Sequence, residues 1–295
     1  MNVVLAEWLS QALGRPVSKA KVRKLIMAGA VHLNGSRVGN PSIQLVSGAR
    51  VEAHVDPAKL FDDSTSRDKK FELTPDRILL EDADLIVVDK PAGLPTHSTA
   101  DETRDNLFAA VTRFLARRDG GQPYLGLHQR LDRDTSGVVL FTKSPRVNTV
   151  IAEVFSQHKA VKVYQVLTTS PRKKLSKEWT ITNYLGKVSS KSKRAKYGAV
   201  RSDGQLAETS FRVIEQHPYG VWIEATPKTG RTHQIRVHLS EYGLPILGDD
   251  LYGSETSAPR LMLHASELRF QHPITRVEVA VLSPLPEDFD RCHRE

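Results

Sequence analysis

The chain has 295 residues, of which 39% are hydrophobic and 26% are charged, a composition typical of a soluble globular protein with one large or two modest domains. Its single cysteine, Cys292, excludes a disulfide framework or a cysteine-rich metal site within the chain. No apolar stretch approaches the roughly 20 residues that a membrane-spanning helix needs. We therefore expect a cytoplasmic protein with no membrane partner.

Positive charge is concentrated in one segment. The formal net charge is +8, and residues 171–201 contain ten lysines and arginines but one acid, Glu178. Three aromatic residues, Trp179, Tyr184 and Tyr197, are interspersed among these cations. Such a segment, without an amphipathic apolar face, indicates a polyanionic partner, nucleic acid rather than membrane. The alternative is a solvated basic loop.

Residues 1–55 are predicted to form a small separate unit. Apolar residues at helical spacing predict a first helix that ends near Gly14. Its apolar face would comprise Val4, Leu5, Trp8, Leu9 and Leu13. Ser18 precedes a second, basic helix, "KAKVRKLIMAGA", and the Asn34-Gly35 pair predicts a hairpin turn between short strands.

Over nearly its whole length this unit resembles the small RNA-binding module shared with the fourth protein of the small ribosomal subunit. The resemblance rests on "SKAKVRKLIMAGAVHLNG" and on the later "SGARVE". It implies that the basic helix lies on RNA phosphates, so we expect Lys21, Arg23 and Lys24 to contact RNA. Residues 56–75 are polar and aperiodic, which predicts a linker.

Strands and helices intermingle in the third predicted region, residues 76–295. Helices are predicted for "NLFAAVTRFLARR" and "VNTVIAEVFSQH". Strands are predicted within "ILLEDADLIVVDK", "SGVVLFTKS", "KVYQVLTTS", "AETSFRVIEQ" and "GVWIEATPK". Because strands outnumber helices and do not alternate regularly with them, the sequence predicts an α+β fold with a largely antiparallel mixed sheet.

The stretch "HQRLDRDTSG", residues 128–137, combines charged and titratable side chains with a following apolar run, "VVLFT". Hydroxyl groups and a glycine predict that Thr135, Ser136 and Gly137 form a tight turn. We expect the following strand to hold this loop rigidly, as a functional group requires. The functional interpretation is a carboxylate that arginine keeps ionised and that acts as a nucleophile or a base.

Two other interpretations fit the residues of this stretch. Asp132 and Asp134 could share a divalent metal ion with His128, as in a nuclease. Arg130 and Arg133 disfavour that site, because they would repel a cation. The stretch could also be a surface turn whose charges pair with one another.

A second stretch, "TPKTGRTHQIRVHLSEYG" at residues 226–243, predicts a glycine-containing loop followed by a helix. We expect Thr232 to be the N-cap and "HQIRVHLSEY" to form the helix. Arg236 would then lie in the first helical turn, beside a loop that carries Lys228 and Arg231. Such an arrangement suits a phosphate or a buried carboxylate.

Together these stretches resemble the RluA family of pseudouridine synthases, uridine isomerases that act on structured RNA. The resemblance covers residues 78–275 in colinear order, from "ILLEDADLIVVDKPAGLPTH" through "RLDRDTSGVVLFTKS" and "KVYQVL" to "TGRTHQIRVHLSEYGLPILGDDLYG" and "RLMLHASELRFQHPIT". One departure from the family pattern His-Arg-Leu-Asp is Gln129, which separates His128 from Arg130 and leaves the role of His128 without family support. The implied fold is that of a pseudouridine synthase, a mixed, largely antiparallel central sheet flanked by helices and loops.

The resemblance also implies the roles of individual residues. Asp132 would be the catalytic carboxylate, Arg236 its cationic partner, and Tyr164 the active-site tyrosine that stacks on the base. Leu263 would supply an apolar floor, and Arg130 would fill the space left by the flipped uridine. Further substrate contacts are assigned to Lys228, Arg231 and His233. Because the reaction is an isomerisation without oxidation or hydrolysis, it implies no cofactor and no metal.

We expect RNA as the partner, with 23S ribosomal RNA favoured over transfer RNA, a role in ribosomal RNA processing, and a monomeric protein. Two alternatives belong to other classes. A catalytically inactive RNA-binding protein would release no tritium from RNA labelled at uracil C5, whereas the isomerase releases it. A metal-dependent nuclease would cleave RNA in a manner that a chelator prevents.

Overall fold

The computed structural model describes residues 2–27, 29–40, 43–57, 60, 70–98, 105–171, 174–189, 195–217, 220–253 and 258–289. Five of these, Asn2, Ala20, Lys24, Met27 and Ser189, are described by their backbone alone. Cys292, most of the predicted linker and residues 172–173 and 190–194 of the basic segment lie outside the described residues. The chain divides into two compact units, residues 1–69 and 70–295. Within the described residues, no helix has the length and apolar character that crossing a membrane requires.

The first unit contains two helices and a small antiparallel sheet. Its elements are α1 (Asn2–Leu13), α2 (Lys19–Met27), β1 (Val31–Leu33), β2 (Ser36–Arg37) and β3 (Val51–Ala53), with strand order β2–β1–β3. Ser18 caps the basic helix, because its Oγ accepts a hydrogen bond from Lys21 N at 3.2 Å. The predicted hairpin is also confirmed, since β1 pairs with β2 across Asn34-Gly35.

The apolar face of α1 is narrower than the sequence predicts. Leu5 and Leu9 are buried, and they form a core with Val22 and Ile26 of α2. Val4 and Trp8 are exposed, so the predicted apolar face of α1 was wrong at these two positions. Leu5 and Leu9 are one turn apart and therefore lie on the same side of α1. The rest of this small unit covers that side of the helix and leaves the others exposed.

The second unit is built on an eleven-stranded sheet. Its strands are β4 (Ile78–Glu81), β5 (Leu85–Lys90), β6 (Gly126–Leu127), β7 (Ser136–Thr142), β8 (Val161–Thr168), β9 (Glu178–Ser189), β10 (Lys196–Ala199), β11 (Gln205–His217), β12 (Gly220–Pro227), β13 (Leu263–Gln271) and β14 (Glu278–Leu282). They are ordered β10–β9–β11–β12–β8–β13–β7–β5–β4, with β14 on β13 and β6 on β7. Among the described strands, β7 and β13 form the one parallel pair. The predicted α+β fold with a largely antiparallel mixed sheet is therefore confirmed.

Three helices whose bounds are described flank this sheet. They are α3 (Leu107–Asp119), α4 (Pro145–Ser156) and α5 (Gln234–Glu241), and a 3₁₀ turn, Pro75–Arg77, precedes β4. All three helices were predicted. Asn106 caps α3 by accepting a hydrogen bond from Ala109 N at 3.0 Å, and Gly120 ends it with a φ of 79°.

Most of the described part of the basic segment is strand rather than loop. It contributes β9 and β10, in which Trp179, Ile181 and Leu185 point toward the core and alternate with polar or exposed residues. This alternation is the pattern of a strand with one buried face. The high content of lysine and arginine obscures it in the sequence.

The parallel contact between β7 and β13 brings two backbones close together. Gly137 pairs with Ala265 and has a φ of 115°, which lies in the region that favours glycine. A Cβ on Gly137 would lie 2.1 Å from Ala265 O. Glycine is therefore required where β7 begins, immediately after the loop that carries Asp132.

We predict that Gly137→Ala lowers the free energy of unfolding by about 3 kcal/mol, because it combines a clash with the backbone and an unfavourable φ. Gly121→Ala is the matched control, since Gly121 also has a positive φ, 69°, but no atom lies within 4 Å of the position that its Cβ would take. It should cost about 1 kcal/mol. Urea denaturation followed by circular dichroism measures both, and equal losses would contradict the close-approach explanation.

Candidate active site

Asp132 lies in the loop between β6 and β7, where the chain enters a fully buried strand. Thr135 N donates to Asp132 O at 3.2 Å, so the turn spans residues 132–135. The prediction of a turn over Thr135–Gly137 was therefore wrong. Ser136 and Gly137 already pair with β13 as the first residues of β7. The strand thus begins four residues after Asp132 and fixes the position of its loop.

Two buried polar side chains anchor the same loop. Thr96 Oγ1 donates to Leu131 O at 2.8 Å and accepts from Leu131 N at 3.1 Å. The ammonium group of Lys90, which is fully buried, donates to three carbonyl groups, those of Pro91 (3.0 Å), Leu94 (2.7 Å) and Arg133 (2.9 Å). Burial lowers the pKa of Lys90. The three carbonyl acceptors act in the opposite direction, because they match the three hydrogens of the charged ammonium group.

The guanidinium group of Arg236 connects the loop to the other side of the site. Nη1 donates to Asp132 Oδ2 at 3.1 Å, while Nε and Nη2 donate to the two carboxylate oxygens of Asp249, each at 2.8 Å. The Asp249 side chain is 0% exposed and also accepts from the backbone N–H groups of Leu251 and Tyr252. This bidentate pair fixes the plane of the guanidinium group and leaves Nη1 directed at Asp132.

Electrostatics keep Arg236 charged. Burial alone would lower the pKa of Arg236, but its hydrogen bonds to Asp249 and the negative charges of Asp249 and Asp132 raise that pKa above its ordinary value. Buried charges are stabilising where the geometry is good and hydrogen bonds compensate for the lost water. Here three of the five guanidinium hydrogens, one each on Nε, Nη1 and Nη2, have a carboxylate acceptor. Asp132, 27% exposed, therefore lines the cavity beside a permanent cation.

Arg236 lies in the first turn of α5, as predicted, but the helix begins at a different residue. The N-cap is His233, which has a left-handed backbone conformation and makes no side-chain cap. The prediction of Thr232 as the N-cap was therefore wrong. Almost every side of α5 is covered, so its burial reflects packing between the sheet and the site rather than one apolar face.

Gln234 fixes the loop before α5 to the sheet. Its Oε1 accepts from Thr229 Oγ1 (2.7 Å) and Arg231 N (3.0 Å), and its Nε2 donates to Glu208 O (3.0 Å) and Thr209 Oγ1 (2.9 Å). All four hydrogen-bonding positions of the amide are thus used. Because Glu208 and Thr209 belong to β11, the loop is held rigidly against the sheet.

Tyr164 lies on β8, between Ala225 of β12 and Ala265 of β13. Burial raises the pKa of Tyr164, and the negative charge of Asp132 raises it further. The phenol therefore stays protonated at neutral pH. Leu263, the first residue of β13, is buried and pairs with β8 on the same part of the sheet.

A cavity of ≈ 980 Å³ lies where these elements meet, large enough for a nucleotide. Its lining includes seven of the eleven residues to which the resemblances assign a catalytic or RNA-binding role, Arg130, Asp132, Tyr164, Arg231, His233, Arg236 and Leu263. Lys228 lies outside the lining and pairs with Glu208 at 3.2 Å. Lys21 and Arg23 lie on α2 of the first unit, and the side chain of Lys24 is not described.

The three side chains considered for a metal site have separate partners. Asp134 pairs with Arg133 at 2.9 Å, Asp132 pairs with Arg236, and His128 Nε2 lies 3.2 Å from Thr142 Oγ1. Within the described part of the chain, no group of three or more histidine, cysteine, aspartate or glutamate residues is arranged to hold a metal ion.

Sequence reasoning missed several residues that shape the site. Asp249 stands in "GDDLYG", which carried part of the family resemblance, but no local pattern indicates that its carboxylate binds Arg236. Lys90 and Gln234 likewise lie in motifs of the family resemblance, which assigned them no role. Lys162 also lines the cavity, and it donates to Thr229 O at 3.2 Å. Its position on β8, two residues before Tyr164, was the available signal.

Comparison with known proteins identifies the family of this chain. The RNA pseudouridylate synthase family matches residues 84–241, more than half of the chain, and the S4 domain matches residues 5–51. In solved structures, the human RNA pseudouridylate synthase domain containing 4 has a TM-score of 0.60 and 26% identity. That match covers 74% of this chain and 92% of the human chain.

Similar sequences extend over most of the chain. The ribosomal large subunit pseudouridine synthase C of Vibrio vulnificus is 31% identical over 94% of this chain and 88% of its own length. An uncharacterized RNA pseudouridine synthase of Aquifex aeolicus is 33% identical over 87% of this chain and 82% of its own length. Two motifs, their shared cavity and these matches lead to one conclusion: the chain belongs to the RNA pseudouridylate synthase family and is an isomerase that acts on RNA.

Proposed function

We propose that this enzyme isomerises specific uridines of 23S ribosomal RNA with the carboxylate of Asp132 and without a cofactor or metal. The observation that carries the proposal is the Asp132–Arg236–Asp249 arrangement at a cavity that Tyr164 also lines. Pseudouridine formation breaks the bond between ribose C1′ and uracil N1 and joins C1′ to C5. The atoms and electrons of the product equal those of the substrate, so the chemistry itself needs no redox group.

The ionised state of Asp132 is central to this mechanism. A carboxylate acts as a nucleophile or as a base only when it is deprotonated. Arg236 Nη1 donates to Asp132 Oδ2 at 3.1 Å, which places a permanent positive charge beside that carboxylate. Asp249 holds that guanidinium group in place, so Arg236 does not need to reorganise when the substrate binds.

The cavity supplies a place for a flipped uridine. A base in a stacked helix cannot reach Asp132, and extrusion costs a few kcal/mol. Tyr164 would stack on the uracil, with Leu263 as an apolar floor beneath it. Arg130 is exposed at the rim of the cavity, where its side chain would occupy the vacated position in the RNA. Arg231 and Lys162, which line the cavity, add positive charge for the adjoining phosphates.

Binding of a larger RNA would use two further basic regions. Residues 171–201 combine positive charge with exposed Tyr184 on β9. In the first unit, Lys19 and Arg23 are exposed on α2, next to Lys21 and Lys24 in the sequence. Cations in such positions contribute salt-dependent phosphate contacts that are independent of base sequence. The proposed RNA-binding domain comprises residues 1–55, and the proposed catalytic domain comprises residues 76–295. Residues 56–75 are the proposed linker between them.

We predict that Asp132→Asn abolishes isomerisation and leaves RNA affinity within a few fold, because the amide keeps the shape of the carboxylate but lacks its charge. Tritium release from RNA labelled at uracil C5 measures turnover, and filter binding measures affinity. Asp134→Asn is the control, since the same change two residues away removes a pair with Arg133 instead. Substantial turnover by Asp132→Asn would disprove the assignment.

The choice of ribosomal RNA is supported by the name of the Vibrio vulnificus relative, a ribosomal large subunit pseudouridine synthase. We further propose that the protein is a monomer, because one chain supplies Asp132, Tyr164 and Arg236. We also propose that it acts in the cytoplasm. Deletion of the gene should remove pseudouridines from 23S ribosomal RNA, as mapped by carbodiimide reactivity in cells with and without the protein. Loss of signal confined to transfer RNA would exclude the ribosomal target.

A further inference from the structure

The two ring nitrogens of His233 have different surroundings. Nδ1 lies 2.8 Å from the hydroxyl oxygen of Tyr252, whereas Nε2 lies 3.9 Å from Asp132 Oδ2, beyond hydrogen-bonding distance. The imidazole is 18% exposed and lines the cavity. The Nε2 edge is therefore next to the carboxylate and accessible to a substrate.

The hydrogen bonds of Tyr252 determine which nitrogen of His233 carries the hydrogen. Among the described residues, the hydroxyl oxygen accepts from Tyr197 N at 3.0 Å and contacts His233 Nδ1. Burial raises the pKa of Tyr252 to about 12, so the hydroxyl keeps its single hydrogen at neutral pH. If Nδ1 donated to the hydroxyl oxygen instead, the hydroxyl hydrogen of Tyr252 would have no acceptor. Buried polar groups rarely lack a hydrogen-bond partner. The hydroxyl therefore donates to Nδ1, and the neutral ring carries its hydrogen at Nε2.

Three other observations agree with a fixed, neutral imidazole. Burial lowers the pKa of His233, although the negative charge of Asp132 opposes that shift. The backbone of His233 has a φ of 57°, which is uncommon for any residue except glycine and is retained where the surroundings fix it. Tyr197 and Tyr252 contact the ring edge-on, at centroid distances of 5.7 and 5.6 Å.

We infer that His233 donates its Nε2 hydrogen to uracil O2 of the flipped uridine and stabilises the base as it leaves the sugar. The inference rests on the proposed role of Asp132, which places the bond between C1′ and N1 beside that carboxylate. Uracil O2 is the base oxygen next to N1. Tyr252 is then a positioning residue, because it acts through His233.

The charge balance of the reaction gives this donor a purpose. When the bond from C1′ to N1 breaks, its electron pair stays on the uracil and spreads onto O2. When C5 then bonds to C1′, the anion supplies the electron pair, the C5 hydrogen leaves and N1 gains one. A donor directed at O2 binds the anion more strongly than the neutral base, which lowers the barrier rather than only tightening binding.

The tautomer is tested in the substrate-free full-length protein. Nitrogen-15 spectra of labelled histidine distinguish a protonated from a bare ring nitrogen, and the His233 signal, among 11 histidines, is the one that His233→Asn removes. At pH 7.5 we expect a bare Nδ1 and a protonated Nε2. In Tyr252→Phe, the two tautomers should become mixed. A protonated Nδ1 in the wild-type protein would overturn the inference, whatever the role of Asp132.

Two substitutions separate the donor from the backbone conformation. The amide nitrogen of His233→Gln can reach the position of Nε2, whereas that of His233→Asn reaches only the position of Nδ1. A left-handed backbone favours asparagine over glutamine. If the backbone conformation decided the single-turnover rate, His233→Asn would be the faster variant. We expect the reverse, with His233→Asn slower than the wild type by about 100-fold and His233→Gln by less than about 10-fold. RNA affinity should change little in either variant, and a faster asparagine variant would overturn the inference.

Modified RNA identifies the oxygen that accepts the hydrogen bond. Sulfur is a weak acceptor, so 2-thiouridine at the target position should slow the wild-type enzyme more than it slows His233→Asn, which has already lost the donor. The matched substrate with 4-thiouridine should slow both proteins by the same factor. An equal effect of 2-thiouridine on both proteins would exclude O2 as the acceptor. Turnover by Asp132→Asn would instead contradict the proposed function and leave the nitrogen spectra unaffected.

Discussion

One guanidinium group shared between two carboxylates organises this enzyme. Arg236 binds Asp249 through Nε and Nη2 and reaches Asp132 through Nη1. Asp132 is 104 residues away in the chain, so the ion pair joins the loop before β7 to the helix after β12. Removing charges from water is costly, and the bidentate hydrogen bonds to Asp249 offset that cost. The result is a carboxylate that faces a cavity beside a cation of fixed orientation.

Buried hydrogen bonds make this geometry rigid. Lys90 joins two loops through three carbonyl groups, and Gln234 joins the loop before α5 to β11. Each of these groups would be costly if left unpaired, so the loops have few alternative arrangements. A site that is already arranged for the transition state does not need to reorganise during the reaction. Under the proposed mechanism, stability and catalysis therefore rely on the same polar contacts.

Local patterns in the sequence were sufficient to predict much of the fold. Helices α3 and α4 and strand β7 follow from apolar periodicity, and the family motifs placed Asp132 and Arg236 in one cavity. Patterns failed where tertiary contacts decide. In the sequence, nothing distinguishes Asp249 from any other aspartate in a turn. Only the fold shows that its carboxylate binds the guanidinium group of Arg236. The N-cap at His233 depends on Gln234 and the sheet, and the exposure of Trp8 depends on how much of α1 its small unit can cover.

Chemical rescue of Arg236→Ala tests the shared guanidinium most directly. The variant should lose about 100-fold or more in single-turnover rate, and added guanidinium ion should restore part of that rate by pairing with Asp132 and Asp249. Methylammonium has the same charge but lacks the planar set of donors, so it should restore little. Equal recovery with both cations, or an Arg236→Ala enzyme as fast as the wild type, would contradict the account.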